Sequence, residues 1–249
     1  IGIYHPRMRG KISNEVSKLP RVVPEKKKKG TVGLIVLRSY LLAGNTGHYD
    51  GVIAALESLG IQVIPCFSMG LDARPAIEKF LYSGEEKKID ALVSLTGFSL
   101  VGGPAYNDSE AAKSVLTKLN VPYLSASPLE FQSLDEWENS STGLLPVENT
   151  IMVAIPELDG AISPVVFGGR RVIKGDGESL GKEQDHSKKS GYSERNMTFS
   201  SERVSLLARK VGKLINLRKL ENRDKKVAVV IFNFPPNAVN IGTAAHLDV

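Results

Sequence analysis

Val32-Gly33-Leu34-Ile35-Val36-Leu37, then Arg38-Ser39-Tyr40-Leu41-Leu42-Ala43-Gly44-Asn45-Thr46-Gly47-His48-Tyr49-Asp50, then Gly51-Val52-Ile53-Ala54-Ala55-Leu56-Glu57-Ser58-Leu59-Gly60: an apolar run, a polar glycine-containing loop, and an amphipathic stretch closed by glycine. The first segment predicts a buried strand. The last predicts a helix over 48–59, with Gly60 at the end where a left-handed residue costs glycine least. In open α/β sheets, ligand sites lie at such strand-to-helix junctions, at the carboxyl ends of the strands.

The same alternation continues along the chain. Apolar runs at 61–66, 89–95, 121–125 and 151–155 predict further strands, and 73–82, 108–119 and roughly 128–139 predict the helices between them. Asp72 with Pro75, and Asn107 or Asp108, supply helix starts. Continuous apolar strands separated by helices indicate a parallel sheet covered on both faces. The expected fold is therefore α/β: a doubly wound, mostly parallel sheet, either flavodoxin-like or a periplasmic-binding-protein-like lobe.

Around that domain, at 31–168, the chain changes character. Residues 1–30 hold a short strand, a proline-containing polar stretch and the Lys26–Lys29 run, and read as the end of a preceding domain plus a linker. Residues 169–198 are rich in Gly, Lys, Ser, Glu and Asp and read as a polar flexible insertion containing a solvated His186. Residues 199–249 predict a long helix at about 200–220, a strand at 227–232 and a junction at Asn240–Ala245, the first unit of a second α/β lobe. With Ile1 at one end and a half-built helix at the other, the 249 residues read as a piece of a longer polypeptide.

Composition narrows the function classes. The chain is 42% hydrophobic, has a net charge of +5 and holds one cysteine, Cys66. A disulfide framework and a thiolate metal cluster are excluded, and a reducing, cytosol-like compartment is expected. No run is long enough for a membrane span. The positive excess falls in Lys26–Lys29 and in Arg209–Lys226 without interleaved aromatics, which fits solvated segments and not a nucleic-acid surface.

Three junctions are built alike: Arg38–Asp50, Thr96–Ala105 and Phe232–Ala245. Arg38 can hold a carboxylate through paired hydrogen bonds, with Ser39 and Thr46 as hydroxyl donors; a structural ion pair is its other reading. His48 can ligate a metal or move a proton near neutral pH, or can simply cap a helix. Thr96-Gly97 and Gly242-Thr243 offer hydroxyls and closely approaching backbone amides for anionic groups. Glu157 and Asp159 are a candidate cation pair, with a hydrogen-bonded turn as the alternative. Glu130, Asp135, Glu136 and Glu138 read as the polar face of a helix anchored by Trp137 and Phe131. No P-loop, dinucleotide fingerprint, nucleophile elbow or zincin helix occurs, so no cofactor is implied by motif.

Taken together, these blocks resemble a known family. Arg38-Ser39 with Gly47-His48-Tyr49, Val63-Ile64-Pro65, Gly70-Leu71-Asp72 and Pro75-Ala76-Ile77-Glu78-Lys79 occur in order. Ser94–Phe98 with Val101–Ala105, Val121-Pro122-Tyr123, Pro156-Glu157-Leu158-Asp159-Gly160 and Phe234–Asn237 with Gly242–Ala245 follow. The series is similar to the large, porphyrin-binding subunits of magnesium chelatases, bacteriochlorophyll-type members above all. The cobaltochelatase large subunits, acting on a corrin-type ring, share a looser version. Residues 170–196 match no block, and His246 stands where the family pattern has a tyrosine.

The resemblance implies an N-terminal-side portion of a subunit that binds protoporphyrin IX for Mg²⁺ insertion. It implies AAA+ ATPase and adaptor subunits that hydrolyse ATP, further domains of the same chain, and a bacterial cytoplasm or plastid stroma. Arg38, Ser39, Thr46, His48, Thr96, Gly97, Gly242 and Thr243 become candidate substrate contacts, and no catalytic residue is assigned. A scaffold that docks domains or subunits without chemistry is the competing expectation, since glycines and an arginine serve docking loops equally.

Overall fold

A computed structural model describes residues 1–103, 106–171 and 196–230. Its strands are β1 (Gly2–Tyr4), β2 (Ile12–Ser13), β3 (Gly30–Ile35), β4 (Ile61–Phe67), β5 (Tyr82–Ser83), β6 (Glu86–Lys87), β7 (Ala91–Ser94), β8 (Tyr123–Leu129), β9 (Ile162–Arg170) and β10 (Met197–Phe199). Its α-helices are α1 (Arg38–Leu42), α2 (Gly47–Ser58), α3 (Arg74–Phe80), α4 (Ser109–Leu119), α5 (Leu134–Asn139), α6 (Pro146–Asn149), α7 (Ile155–Leu158) and α8 (Ser201–Lys219). One sheet has the order β10-β9-β8-β7-β3-β4-β1-β2, and β5 and β6 form a separate hairpin.

The five central strands β9, β8, β7, β3 and β4 are mutually parallel. By their order in the chain they lie as 2-1-3-4-5, the flavodoxin-like arrangement. Strand alternation explains the two cores. Val32, Leu34 and Val36 face one side, with Val52 and Leu56 of α2 and Leu207 and Val211 of α8. Ile35, Ile64 and Leu92 face the other, with Ile77 and Phe80 of α3 and Ala112 and Leu119 of α4. The doubly wound α/β reading holds.

Three details differ from the sequence expectation. Residues 151–155 are helical: Thr150–Ala154 is a π-helical turn joining α6 to α7. An apolar run of this length cannot be told from a buried helix by periodicity. Pro156 has no N–H to return to the Met152 carbonyl, which instead receives the Ser127 hydroxyl at 3.4 Å, and the wide turn accommodates the missing bond. The fifth parallel strand is β9. The helix expected from 128 starts only at Leu134, because β8 runs to Leu129 and carries Pro128 at a register irregularity. The Arg38–Asp50 loop contains a helical turn, α1.

The ends of the domain also differ. Residues 1–30, expected as a preceding domain with a linker, place β1 antiparallel against β4 and β2 against β1. Helix α8 buries Val204, Leu207, Ala208, Val211 and Ile215 in the core. Residues Ile1–Asn216 accordingly form one compact unit, and Leu217–Val249 are a second. Of the polar stretch 169–198, residues 172–195 lie outside the described residues, and its flanks pair as β9 and β10. In the second unit the described part of the expected strand 227–232 forms no ladder, with Val230 at 93% exposure. A β-branched run becomes a strand only where a neighbour completes its hydrogen bonds.

Candidate functional site

The strand order reverses between β3 and β7, so their carboxyl ends open a crevice where such sheets hold ligands. The loops after β3, β4 and β7 meet there. Asp72 bridges to Val101, and the Ala73 N–H donates to the Leu100 carbonyl at 3.0 Å. The cleft is lined by Ile35, Leu37, Ser68, Leu71, Thr96 and Phe98 among others, and holds about 330 Å³ of empty space including its mouth. The space enclosed within it is only about 20 Å³, room for about one water, far below the roughly 300–1,000 Å³ of small-ligand sites.

Arg38 and Ser39 are exposed at the start of α1, and Arg38 has no ion pair among the described residues. Thr96 is buried beside the crevice. Its Oγ1 lies 2.9 Å from Ser94 Oγ and accepts from the Phe98 N–H at 3.3 Å. Gly97 has φ +72, a conformation that glycine adopts without strain. Apolar side chains stand out in loops after four parallel strands: Leu42 after β3, Met69 and Leu71 after β4, Tyr106 after β7, and Phe131 after β8. Phe131, expected as a helix anchor, is thus on the rim.

The other candidates point inward. Thr46 Oγ1 donates to Asp50 Oδ2 at 3.1 Å, and Tyr4 Oη donates to Asp50 Oδ1 at 2.6 Å, tying β1 to α2. His48 is fully buried. Its ring centroid is 3.8 Å from that of Tyr49, 5.8 Å from Phe167 in a stack, and 4.8 Å from that of Tyr40 in an edge-on contact. Burial lowers its pKa to about 3, and neither ring nitrogen has a hydrogen-bond partner among the described residues. A proton-moving or metal-holding role near neutral pH is therefore corrected: the ring is a neutral core group. Gly47 serves packing as well, since a Cβ there would stand 2.8 Å from the Met197 carbonyl of β10.

Glu157 is exposed whereas Asp159 is 1% exposed, so the two do not form a cation pair. Asp159 Oδ2 accepts from Ser99 Oγ and from the Leu100 N–H, each at 2.7 Å, and so holds the loop after β7. Among the described residues no group of three or more His, Cys, Asp or Glu could hold a metal. Burial also pushes the Cys66 thiol up to about 12, leaving it protonated. Gly242 and Thr243 lie outside the described residues.

Two contacts escaped the sequence reading. Tyr40 Oη donates to Glu130 Oε1 at 2.5 Å, joining the loops after β3 and β8, and burial followed by this bond pushes the phenol above its ordinary range. Glu57 of α2 is buried against His5 Nε2 at 2.9 Å and Arg7 Nη2 at 3.1 Å. His5 Nδ1 accepts the Arg7 N–H, so Nε2 carries the proton toward Glu57. Both pairs are too far apart in sequence for any local pattern; a carboxylate inside an otherwise apolar helix face was the available signal for Glu57.

Comparison with known proteins places this geometry. The CobN/Magnesium Chelatase family profile matches residues 1–249. The chain is 47% identical over 249 residues to a magnesium-chelatase subunit of Cereibacter sphaeroides, covering 100% of this chain and 20% of that protein. It is also 47% identical over 259 residues to the same-named subunit of Rhodobacter capsulatus, again covering 100% and 20%. A solved catalytic subunit of cobaltochelatase from Mycobacterium tuberculosis superposes with a TM-score of 0.66 at 25% identity, covering 91% of this chain and 17% of that one. The chain spans about a fifth of the length of the curated relatives it matches.

Proposed function

Because the chain belongs to the CobN/magnesium chelatase family, we propose that it is a portion of the large subunit of a magnesium chelatase and that its sheet edge forms one wall of the site receiving protoporphyrin IX. Mg²⁺ is a substrate of that reaction. ATP is hydrolysed on partner AAA+ subunits, and the other domains of the subunit complete the site. The bacterial cytoplasm, or the stroma for a plastid-borne relative, is the compartment this reading implies. Higher identity to the magnesium relatives favours Mg²⁺ over cobalt.

One observation carries the reading. Arg38 stands exposed at the reversal of strand order, without an ion pair among the described residues, on the same edge as Leu42, Met69, Leu71, Tyr106 and Phe131. A planar apolar macrocycle with propionates at its rim is the chemical complement of apolar side chains around one guanidinium. The chain's part is to bind and orient; no proton transfer or metal ligation is assigned to it. The test is the full-length subunit carrying Arg38→Ala, titrated with protoporphyrin IX and with its dimethyl ester. A charge-assisted bond is worth ~1.5–3 kcal/mol, so the free acid should bind about tenfold or more weakly, with the ester little affected. Equal free-acid affinity in both proteins would turn Arg38 into a domain-docking residue.

A further inference from the structure

Strand β9 has an outer edge that is only partly covered. On its inner side β8 pairs with it from Ile162 to Gly169, whereas β10 covers the outer side over Gly168–Arg170 alone. Just before that, the Phe167 carbonyl accepts the Ser200 N–H. At the other end Ser163, with φ +54, and Pro164 interrupt the strand, as bulges and prolines do where an edge must not pair at random. Between these stops Val165 and Val166 make no backbone hydrogen bond among the described residues apart from the β8 ladder. The unpaired side of a strand is a template for a further strand.

This short open edge lies in a cleft. Pro164, Val165 and Val166 line it together with Arg203, Leu206 and Lys210 of α8 on one side, and with Met152 and Val153 of the 146–158 helix on the other. The cleft encloses about 380 Å³, against about 20 Å³ in the β3–β7 crevice. Among the described residues no carboxylate lines it, and its charged groups are Arg203 and Lys210. The Arg203 guanidinium sits over the Trp137 ring, 5.0 Å from the centroid, and neither cation has an ion pair among the described residues. The carboxylates of Asp135 and Glu138 are engaged by Arg171 at 3.5 and 3.2 Å. Arg203 and Lys210 stand seven residues apart on one helix, so their backbones are about 10 Å apart along its axis.

We propose that this cleft docks an extended, acidic-ended segment of a partner protein, which adds a short strand to β9 at Val165 and Val166 and sets one carboxylate on Arg203 and another on Lys210. Strand addition supplies main-chain hydrogen bonds, and the flanking helices read alternate side chains. Carboxylates four residues apart on a strand share a face and lie about 13 Å apart, within reach of two long cations rooted ~10 Å apart. The residues between them are apolar, to match Leu206 on one side and Met152 and Val153 on the other. The site is independent of Arg38 and of the role proposed for the β3–β7 edge.

The probe is a fluorescein-labelled peptide with the core Glu-Val-Leu-Val-Glu, which reads the same in either strand direction, titrated with the full-length subunit and followed by anisotropy. A peptide with Lys in place of both Glu should bind at least tenfold more weakly. Alternate N–H groups of a strand point to opposite edges. Of two further peptides, one N-methylated at Leu and the other at both Val, one should therefore lose tenfold or more and the other much less. Arg203→Gln and Lys210→Gln should each weaken the parent peptide about three- to tenfold, with Arg38→Ala leaving it unchanged. The peptide series needs no altered protein, and Lys210→Gln breaks no described contact, so a loosened α5 in Arg203→Gln would not obscure the result. Equal loss in both N-methylated peptides, indifference to charge, or binding unchanged in both variants would overturn the proposal. So would absence of binding, the result if a second copy or a later domain of the same subunit already fills the cleft.

Discussion

His48 shows how burial decides the chemistry of a single residue. Packed among Tyr40, Tyr49 and Phe167, its ring is lowered from an ordinary pKa near 6.5 to about 3. The unfolded chain takes up a proton below pH 6.5 that the folded chain refuses, so this contribution to stability is complete above that pH. It is lost as pH falls toward 3, at up to ~1.4 kcal/mol per pH unit. His48→Phe keeps the aromatic stack and leaves no unpartnered nitrogen. Urea midpoints between pH 7 and 4 should therefore fall less steeply in His48→Phe than in the parent chain. Parallel curves would place the titrating group elsewhere. The sequence shows a histidine at a helix start beside glycine, which suits a ligand loop equally well; part of what surrounds its ring comes from β9, more than a hundred residues on.

At the scale of elements, β10 explains glycines that loop chemistry does not. A Cβ on Gly51 of α2 would lie 2.2 Å from Cγ of Phe199. Helix propensity alone favours Ala over Gly by ~1 kcal/mol, yet overpacking costs about 1–3 kcal/mol. Gly51→Ala should thus destabilise the parent chain and become neutral or stabilising in a Phe199→Ala background, as a double-mutant cycle of denaturation free energies would show. Additive effects would remove β10 from contact with α2. Elements with a clear period or an unambiguous cap, such as α2, α4 with its Asp108 cap, and α8, were legible from sequence. The 151–155 run and the β8 end were not, because a short apolar run lacks a period and Pro128 lies in a strand at a register irregularity.

Over the whole compact unit, closure depends on contacts between distant segments. His5 and Arg7, from the residues after β1, partner Glu57 on α2, whose side chain is 2% exposed. Removing residues 1–9 strips the edge of β4 and leaves Glu57 buried without its partners. Breaking a buried pair in this way costs about 3–5 kcal/mol. The shortened chain should unfold at markedly lower urea concentration, and Glu57→Leu should recover part of the loss; an unchanged midpoint would make the opening residues dispensable.

Sequence alone determined the α/β class, a mostly parallel sheet and the family, because apolar periodicity, helix ends and ordered short blocks are local properties. It also singled out the edge on which Arg38 lies. Only the tertiary structure separated residues that face that edge from those that close the core. Arg38 and Ser39 stand out in solvent, whereas Thr46, His48 and Asp159 spend their polar groups on internal bonds or none. The division follows from burial and partner geometry, which depend on strands distant in the chain and so leave no trace in spacing.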